Sequence, residues 1–469
     1  MKDLIPSFLK DSNRIAFISD KNVQLSYSLL EKESEKLLQH IPERSLVFCL
    51  CANEIGSILG YITFLKNGIV PVMLDASKDI ELLKSLLDIY SPNYIWMPTS
   101  AYSSEYGKSI YEANDFTLTV YNDDPIELHD DLALLLTTSG STGSPKLVRL
   151  SYNNVINNAE SISKYLNITD QERPITSLPM FYSYGLSVIN SHLIKGATIL
   201  LTDKPVIQKE FWAFAKEQKA TSIAGVPYTY EMLKRLRVFR MDLPYLKTMT
   251  QAGGKLNPDI AKEYIEQASD AEKQFIIMYG QTEATARMSY LPWNKAEEKH
   301  SSIGIAIPGG RFYLQDIDDN LITEPDVDGE LVYEGPNVCL GYAECKKDLQ
   351  KGDENNGILH TGDIARCDSD GFYYITGRMK RFVKVYGNRV NLDDTEQLIK
   401  PLAMSCACIG VDDKVTVFLT TQGIEDDIIS LLVKKTGINP RAFAVQVIEK
   451  IPQNSSGKTQ YAELSKLLN

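Results

Sequence analysis

Residues 137–146, Thr-Thr-Ser-Gly-Ser-Thr-Gly-Ser-Pro-Lys, follow the apolar run 132–136 and concentrate the groups that bind anions. Gly140 and Gly143 let the main chain turn and come close to a ligand, so that N–H groups face its oxygens. Thr137, Thr138, Ser139, Ser141 and Thr142 add hydroxyl donors, and Lys146 adds a compact positive charge. Such a set suits a polyphosphate. The competing reading is a solvated Ser/Gly linker, which seldom follows an apolar strand and precedes a helix. A Walker-type loop is excluded, because the chain's Gly457-Lys458-Thr459 has Pro452 where that motif needs its first glycine.

Three further groups of residues have chemistry to offer. In the segment 277–284, Ile-Met-Tyr-Gly-Gln-Thr-Glu-Ala, Tyr279 presents an aromatic face to a base, Thr282 a hydroxyl to phosphate, and Glu283 a hard oxygen ligand for Mg²⁺. In 359–363, Leu-His-Thr-Gly-Asp, the Asp363 carboxylate can accept two hydrogen bonds from a vicinal diol such as a ribose. Arg378, in 375–380, offers a planar fork to ribose or phosphate. Near the end, 451–458 reads Ile-Pro-Gln-Asn-Ser-Ser-Gly-Lys, and taken alone Lys458 is an exposed turn lysine.

The elements that position these groups alternate between strand and helix. Residues 46–52 read as a buried strand, 53–66 as a helix with Ile55, Ile58, Leu59, Ile62 and Leu65 on one face, and 69–74 as the next strand. That is a βαβ unit. A helix-to-strand transition recurs at 192–202, and after the glycine-rich loop Ser151 caps a helix with Val155, Ile156, Ala159, Ile162 and Leu166 facing inward. From about residue 310 the texture changes to short strands at 311–314, 329–333 and 371–376. The fold class is therefore α/β: a large N-terminal domain of helix-covered, mostly parallel sheets over 1–379, including a β-rich subdomain over about 310–379. A small mobile α+β domain over 380–469 completes the expected chain.

Composition sets limits on partners. The 469 residues exceed one hydrophobic core, and 61 acidic against 49 basic side chains give a net charge of −12. This excess disfavours nucleic acid and electrostatic attachment to anionic lipid. No secretory leader or membrane-inserted segment is expected, and seven cysteines without framework spacing fit a reducing, cytoplasmic compartment. The Cys49-x-Cys51 and Cys406-x-Cys408 pairs lie in apolar β-like runs and read as core.

The four segments, in this order, resemble the motifs of the adenylate-forming superfamily, which contains acyl-CoA synthetases, non-ribosomal adenylation domains and luciferases. The resemblance spans residues 134–458. It implies that Thr138 to Lys146 hold pyrophosphate, that Tyr279, Gly280, Thr282 and Glu283 serve base, phosphate and Mg²⁺, and that Asp363 and Arg378 hold the ribose. Lys458 is implied as the catalytic lysine carried by the small domain, with Thr282 and Glu283 beside it, and Lys380 as the interdomain hinge. Residues 252–256, Ala-Gly-Gly-Lys-Leu, are similar to the family's segment beside adenine and the acyl group. That similarity places Gly253 and Gly254 there, with Lys255 where proline is common. Residues 179–185 match the acyl-site segment and make Tyr182, Tyr184 and Gly185 pocket residues, together with Gly225. The family's Lys-Gly and Ser-His are Lys146-Leu147 and Ser151-Tyr152 here, and 407–418 looks compressed.

The resemblance implies ATP-dependent activation of a carboxylic acid as acyl-AMP, with Mg²⁺ as cofactor and pyrophosphate released. The acyl group then passes to CoA or to the phosphopantetheine of a carrier protein. Amino-acid-activating relatives usually place an aspartate near 179–185. This chain offers Tyr182, Ser183 and Tyr184, which favours an acid without an α-amine. Adenylation with a non-thiol fate, amide-forming or oxidative, amino-acid activation for a carrier protein, and a non-catalytic nucleotide-binding regulator are the alternatives. With eleven residues after Lys458, a fused carrier domain is not expected.

Overall fold

The computed structural model describes all residues except 1–3, 42–43, 77–79, 138–145, 386–387, 404, 412, 454–458 and 469. Two sheets with parallel centres form its large body. In the eight-stranded sheet, Leu132–Thr137, Val70–Asp75, Leu46–Cys51 and Tyr94–Pro98 run parallel in that spatial order. In the nine-stranded sheet, Gln274–Tyr279, Thr248–Gln251, Ser222–Gly225, Pro174–Ile175, Ile199–Leu201 and Ile15–Ser19 do the same. Strands buried on both faces need continuous apolar sequence, which explains runs such as Leu-Val-Phe-Cys-Leu-Cys at 46–51, every residue of which is buried.

Helices Ile55–Lys66, Tyr152–Tyr165 and Ser183–Leu193 share one buried cluster with residues of both sheets, including Phe17 and Ile199 on one side and Cys49, Met73 and Leu134 on the other. The helix Ile55–Lys66 is buried on every face rather than along one stripe, because it meets neighbours on all sides; the indole of Trp96 donates to the Gly56 carbonyl at 2.8 Å. Ser151 caps the helix Tyr152–Tyr165 as its sequence predicts. Its hydroxyl accepts from Asn154 N at 3.0 Å, while the Asn154 side chain accepts from Ser151 N at 2.8 Å.

The glycine-rich loop is not followed directly by that helix. A strand, Leu147–Ser151, intervenes and pairs antiparallel with Leu132–Thr137, with Thr137 opposite Leu147. Its central Arg149 is fully buried. The carbonyls of Leu340, Tyr342 and Gly352 and the Glu354 carboxylate accept from its guanidinium.

The β-rich region is a five-stranded antiparallel sheet in the order Leu321–Ile322, Arg311–Gln315, Gly329–Glu334, Ile358–Cys367 and Tyr373–Arg378. Beyond it, a hairpin of Phe382–Val385 and Asn388–Asn391 precedes a three-stranded sheet of Cys406–Val411, Lys414–Leu419 and Phe443–Val447. The two buried clusters formed by residues after 380 contain no residue before it. All seven cysteines are free, and Cys49, Cys51, Cys406 and Cys408 are core residues. Among the described residues no helix is long and apolar enough to cross a membrane.

Candidate active site

Leu132–Thr137 and Gln274–Tyr279 are parallel strands whose carboxyl ends lead into the two polar segments singled out from sequence. Ligands of open α/β sheets bind outside such ends. Residues 138–145 and Lys458 lie outside the described residues, so the geometry of the site rests on the remaining groups.

The residues expected to hold a ribose converge on one carboxylate. Asp363, 2% exposed, accepts at Oδ2 from the Tyr279 hydroxyl at 2.5 Å and from Gln281 Nε2 at 3.0 Å; its Oδ1 pairs with Arg378 Nε at 2.9 Å. Asp363 and Arg378 are register partners on adjacent strands, Ile358–Cys367 and Tyr373–Arg378, so sheet pairing sets this contact. Gln281 also donates to the Thr361 carbonyl at 3.0 Å, which fixes its amide. Burial, and then the Asp363 charge, push the Tyr279 phenol well up, so it remains a donor. The Asp363 charge likewise raises Arg378. An ionised carboxylate has about four acceptor positions and three are taken by described donors, leaving room for a hydroxyl.

The residues expected on the phosphate side are organised around Glu283. Tyr342 donates to Glu283 Oε1 at 2.7 Å, and Lys146 Nζ stands 3.9 Å from the centroid of the Tyr342 ring. Burial, followed by the Glu283 charge, raises the Tyr342 phenol and keeps it protonated. Glu283 Oε2 has no donor among the described residues. A hard, partly free carboxylate of this kind fits Mg²⁺, which binds through one or two carboxylates together with phosphate oxygens and water. Thr282 shares a 3.0 Å hydrogen bond with Ser183, joining the phosphate side to the helix Ser183–Leu193. Gly280 is required by close approach, since a Cβ there would lie 1.9 Å from the Ala286 carbonyl. The chain returns through a tight turn: Ala286 N donates to the Ala284 carbonyl at 2.7 Å, with Thr285 at φ +66° between them.

The AMP-binding enzyme family matches residues 8–343. The chain belongs to that family. A feruloyl-CoA synthase from an Amycolatopsis species is 26% identical over 375 residues, which cover 74% of this chain and 72% of that one. A 2-succinylbenzoate–CoA ligase from Bacillus cereus is 27% identical over 345 residues, covering 71% and 70%. In fold, the chain is similar to o-succinylbenzoate CoA synthetase from Bacillus subtilis in complex with its acyl-adenylate intermediate. The TM-score is 0.81 at 21% identity, with 96% and 95% of the two chains covered.

In this AMP-binding enzyme the residues expected at the acyl pocket form one neighbourhood. Tyr182 precedes the helix Ser183–Leu193 and lies edge-on to Tyr184, ring centroids 6.3 Å apart. Tyr184 is buried and donates to the Thr250 carbonyl at 2.8 Å. Gly253, at φ +82°, lies against Tyr182; a Cβ there would be 2.6 Å from the phenol oxygen. Gly254 faces Pro227, Gly225 packs on Thr229 and Tyr230, and Gly185 on the Pro179 carbonyl. Lys255, in the place of the common proline, donates to the Ile375 carbonyl at 3.2 Å and so ties this loop to the Tyr373–Arg378 strand.

Three residues at the site escaped sequence reading. Gln281 fills the variable position of its motif, and Tyr342 is 59 residues from its partner Glu283. Arg287 is buried at 2% exposure. The one local signal for Arg287 is a charge set among Ala286, Met288 and Ser289.

Proposed function

We propose that this AMP-binding enzyme activates a small carboxylic acid with ATP and transfers the acyl group to the thiol of CoA. The observation that carries the reading is the convergence of Tyr279, Gln281 and Arg378 on Asp363, with Thr282 and Glu283 directly following Gln281 in the chain. A nucleotide whose ribose meets Asp363 and whose base lies along Tyr279 has its phosphates directed toward Thr282, Glu283 and Lys146. The relatives named as CoA ligases support the acceptor.

The first step brings a carboxylate to the α-phosphate of ATP, an anion approaching a polyanion, while negative charge builds on the phosphoryl oxygens and leaving pyrophosphate. Lys458 is assigned to the carboxylate and α-phosphate, and the 138–146 loop to the pyrophosphate. Mg²⁺ on Glu283, when bound, supplies further neutralisation. Thiol attack on the acyl carbon then expels AMP. Because Lys458 would block that thiol, the 380–469 domain is assigned a rotation about Lys380 between the two steps. Free cysteines and dependence on ATP and CoA agree with a cytoplasmic protein.

The test is acid-dependent pyrophosphate exchange and thioester formation across a panel of acids, with CoA, with a phosphopantetheinylated carrier protein, and with neither. Lys458→Ala should lose exchange while retaining ATP binding, and Lys380→Pro should retain exchange while losing thioester formation. Unchanged exchange in Lys458→Ala removes that lysine from the mechanism. Thioester on the carrier alone moves the acceptor to that protein.

A further inference from the structure

The Arg287 guanidinium is buried without a compensating charge. No carboxylate lies within salt-bridge distance of it among the described residues. Its Nη1 reaches the Tyr165 hydroxyl at 3.3 Å and the Met278 sulfur at 3.1 Å, both weak acceptors for a cation, and Nε has no hydrogen-bond partner among the described residues. The Tyr184 ring lies 4.7 Å from Cζ, so the tyrosine face supplies attraction but no charge. The groups that feel this cation are neutral near pH 7. Burial raises the phenols of Tyr165, Tyr182 and Tyr184, and burial holds His192 down at about 4.

Position decides what such a cation is for. Successive residues of Gln274–Tyr279 face opposite sides of the sheet. Tyr279 turns to Asp363, whereas Met278, the residue Arg287 touches, belongs to the cluster with Tyr184, Val226, Ala252 and Ile276. That cluster includes Tyr182 at its margin and is the neighbourhood of the pocket glycines. Arg287 therefore stands on the acyl side of the strand, away from the nucleotide. A buried charge without a partner is unfavourable, and a protein retains one where a ligand completes it.

Resting on the adenylation reading, we propose that Arg287 binds a second carboxylate at the far end of the acid, so that the substrate class is a compact dicarboxylic acid rather than a fatty acid. One carboxylate is activated beside Thr282 and the other pairs with Arg287, with the spacer lying along Tyr182 and Tyr184.

The experiment measures binding of a ladder of α,ω-dicarboxylic acids and of monocarboxylic acids of equal length to the wild-type chain, Arg287→Met and Arg287→Lys, by calorimetry. Pyrophosphate release is measured in parallel. The wild type should bind its best dianion about 100-fold more tightly than the matched monoanion. Arg287→Met should lose that preference and Arg287→Lys recover part of it. Arg287→Met should also melt at or above the wild-type temperature, because it removes an unpaired buried charge, whereas a purely structural arginine would lower it. Equal affinity for mono- and dianions, binding of neither, or a preference surviving in Arg287→Met overturns the proposal. A dianion preference without pyrophosphate release from any acid overturns the adenylation reading and leaves the anion site standing.

Discussion

The strand Gln274–Tyr279 has a charged group on each side, and the two are treated differently. Toward the β-rich sheet, Asp363 has three donors, one of them its cation Arg378 on the neighbouring strand. Toward the helix Ser183–Leu193, Arg287 has a phenol, a thioether and an aromatic face, with no carboxylate paired to it among the described residues. The first arrangement has its charge paired before a ligand arrives and keeps one acceptor position for a hydroxyl, as suits a nucleotide that never changes. The second leaves its charge open for a ligand to close, which is how a site gains selectivity rather than general affinity.

The strongest way to break this comparison is Asp363→Asn. The change leaves the shape but removes the charge that holds Arg378, so the pre-formed side should collapse. Hydrogen bonds to charged groups contribute about 1.5–3 kcal/mol each, so kcat/KM for ATP in pyrophosphate exchange should fall about 100-fold. The relative ranking of acids should stay the same. A changed acid ranking would mean that the two sides are not independent.

Tyr342→Phe is the next smaller effect. The substitution removes the hydroxyl that donates to Glu283 while keeping a ring under Lys146. Loss of one charged hydrogen bond predicts about a tenfold shift in the Mg²⁺ concentration needed for half-maximal exchange. Tyr342→Leu, which also removes the ring face, should exceed Tyr342→Phe; equal effects would show that the Lys146 contact contributes nothing.

Gln281→Ala sits below these. Its amide shares Asp363 with Tyr279 and anchors to the Thr361 carbonyl, so its loss should raise KM for ATP about threefold to tenfold with little change in kcat.

These predictions also mark where sequence was sufficient. The strands ending at Thr137 and Tyr279 were legible because fully buried parallel strands leave long apolar runs, and the reactive types sit immediately after them. Asp363 and Arg378 were legible as types, and their pairing follows from sheet register, which local sequence does not encode. The strand Leu147–Ser151 was hidden because Arg149 breaks its apolar pattern; only the folded chain brings carbonyls from 340 to 352 around that guanidinium. Arg287 was hidden for the opposite reason. Its position in sequence is unremarked, and its meaning lies in what the fold fails to place beside it.

The smallest effect concerns acid sensitivity on the acyl side. His192 is buried, its Nδ1–H donates to the Val188 carbonyl at 2.7 Å, and it is depressed to about 4, first by burial and further by the Arg287 charge. Its folded value lies below the unfolded value of about 6.5, so the unfolded chain takes up a proton the folded chain refuses. The stability this confers is full above pH 6.5 and is lost as pH falls toward 4. Between pH 7 and 5.5 the loss from this one group is about 1 kcal/mol, read as a fall in the melting temperature of the large body. His192→Asn should flatten that limb. Arg287→Met should flatten it in part, because removing the neighbouring cation lets the folded-state value rise toward 6.5 while burial still holds it down. Independence of the two substitutions in a double-mutant cycle would show that His192 does not sense the Arg287 charge, and would locate the acid sensitivity in burial alone.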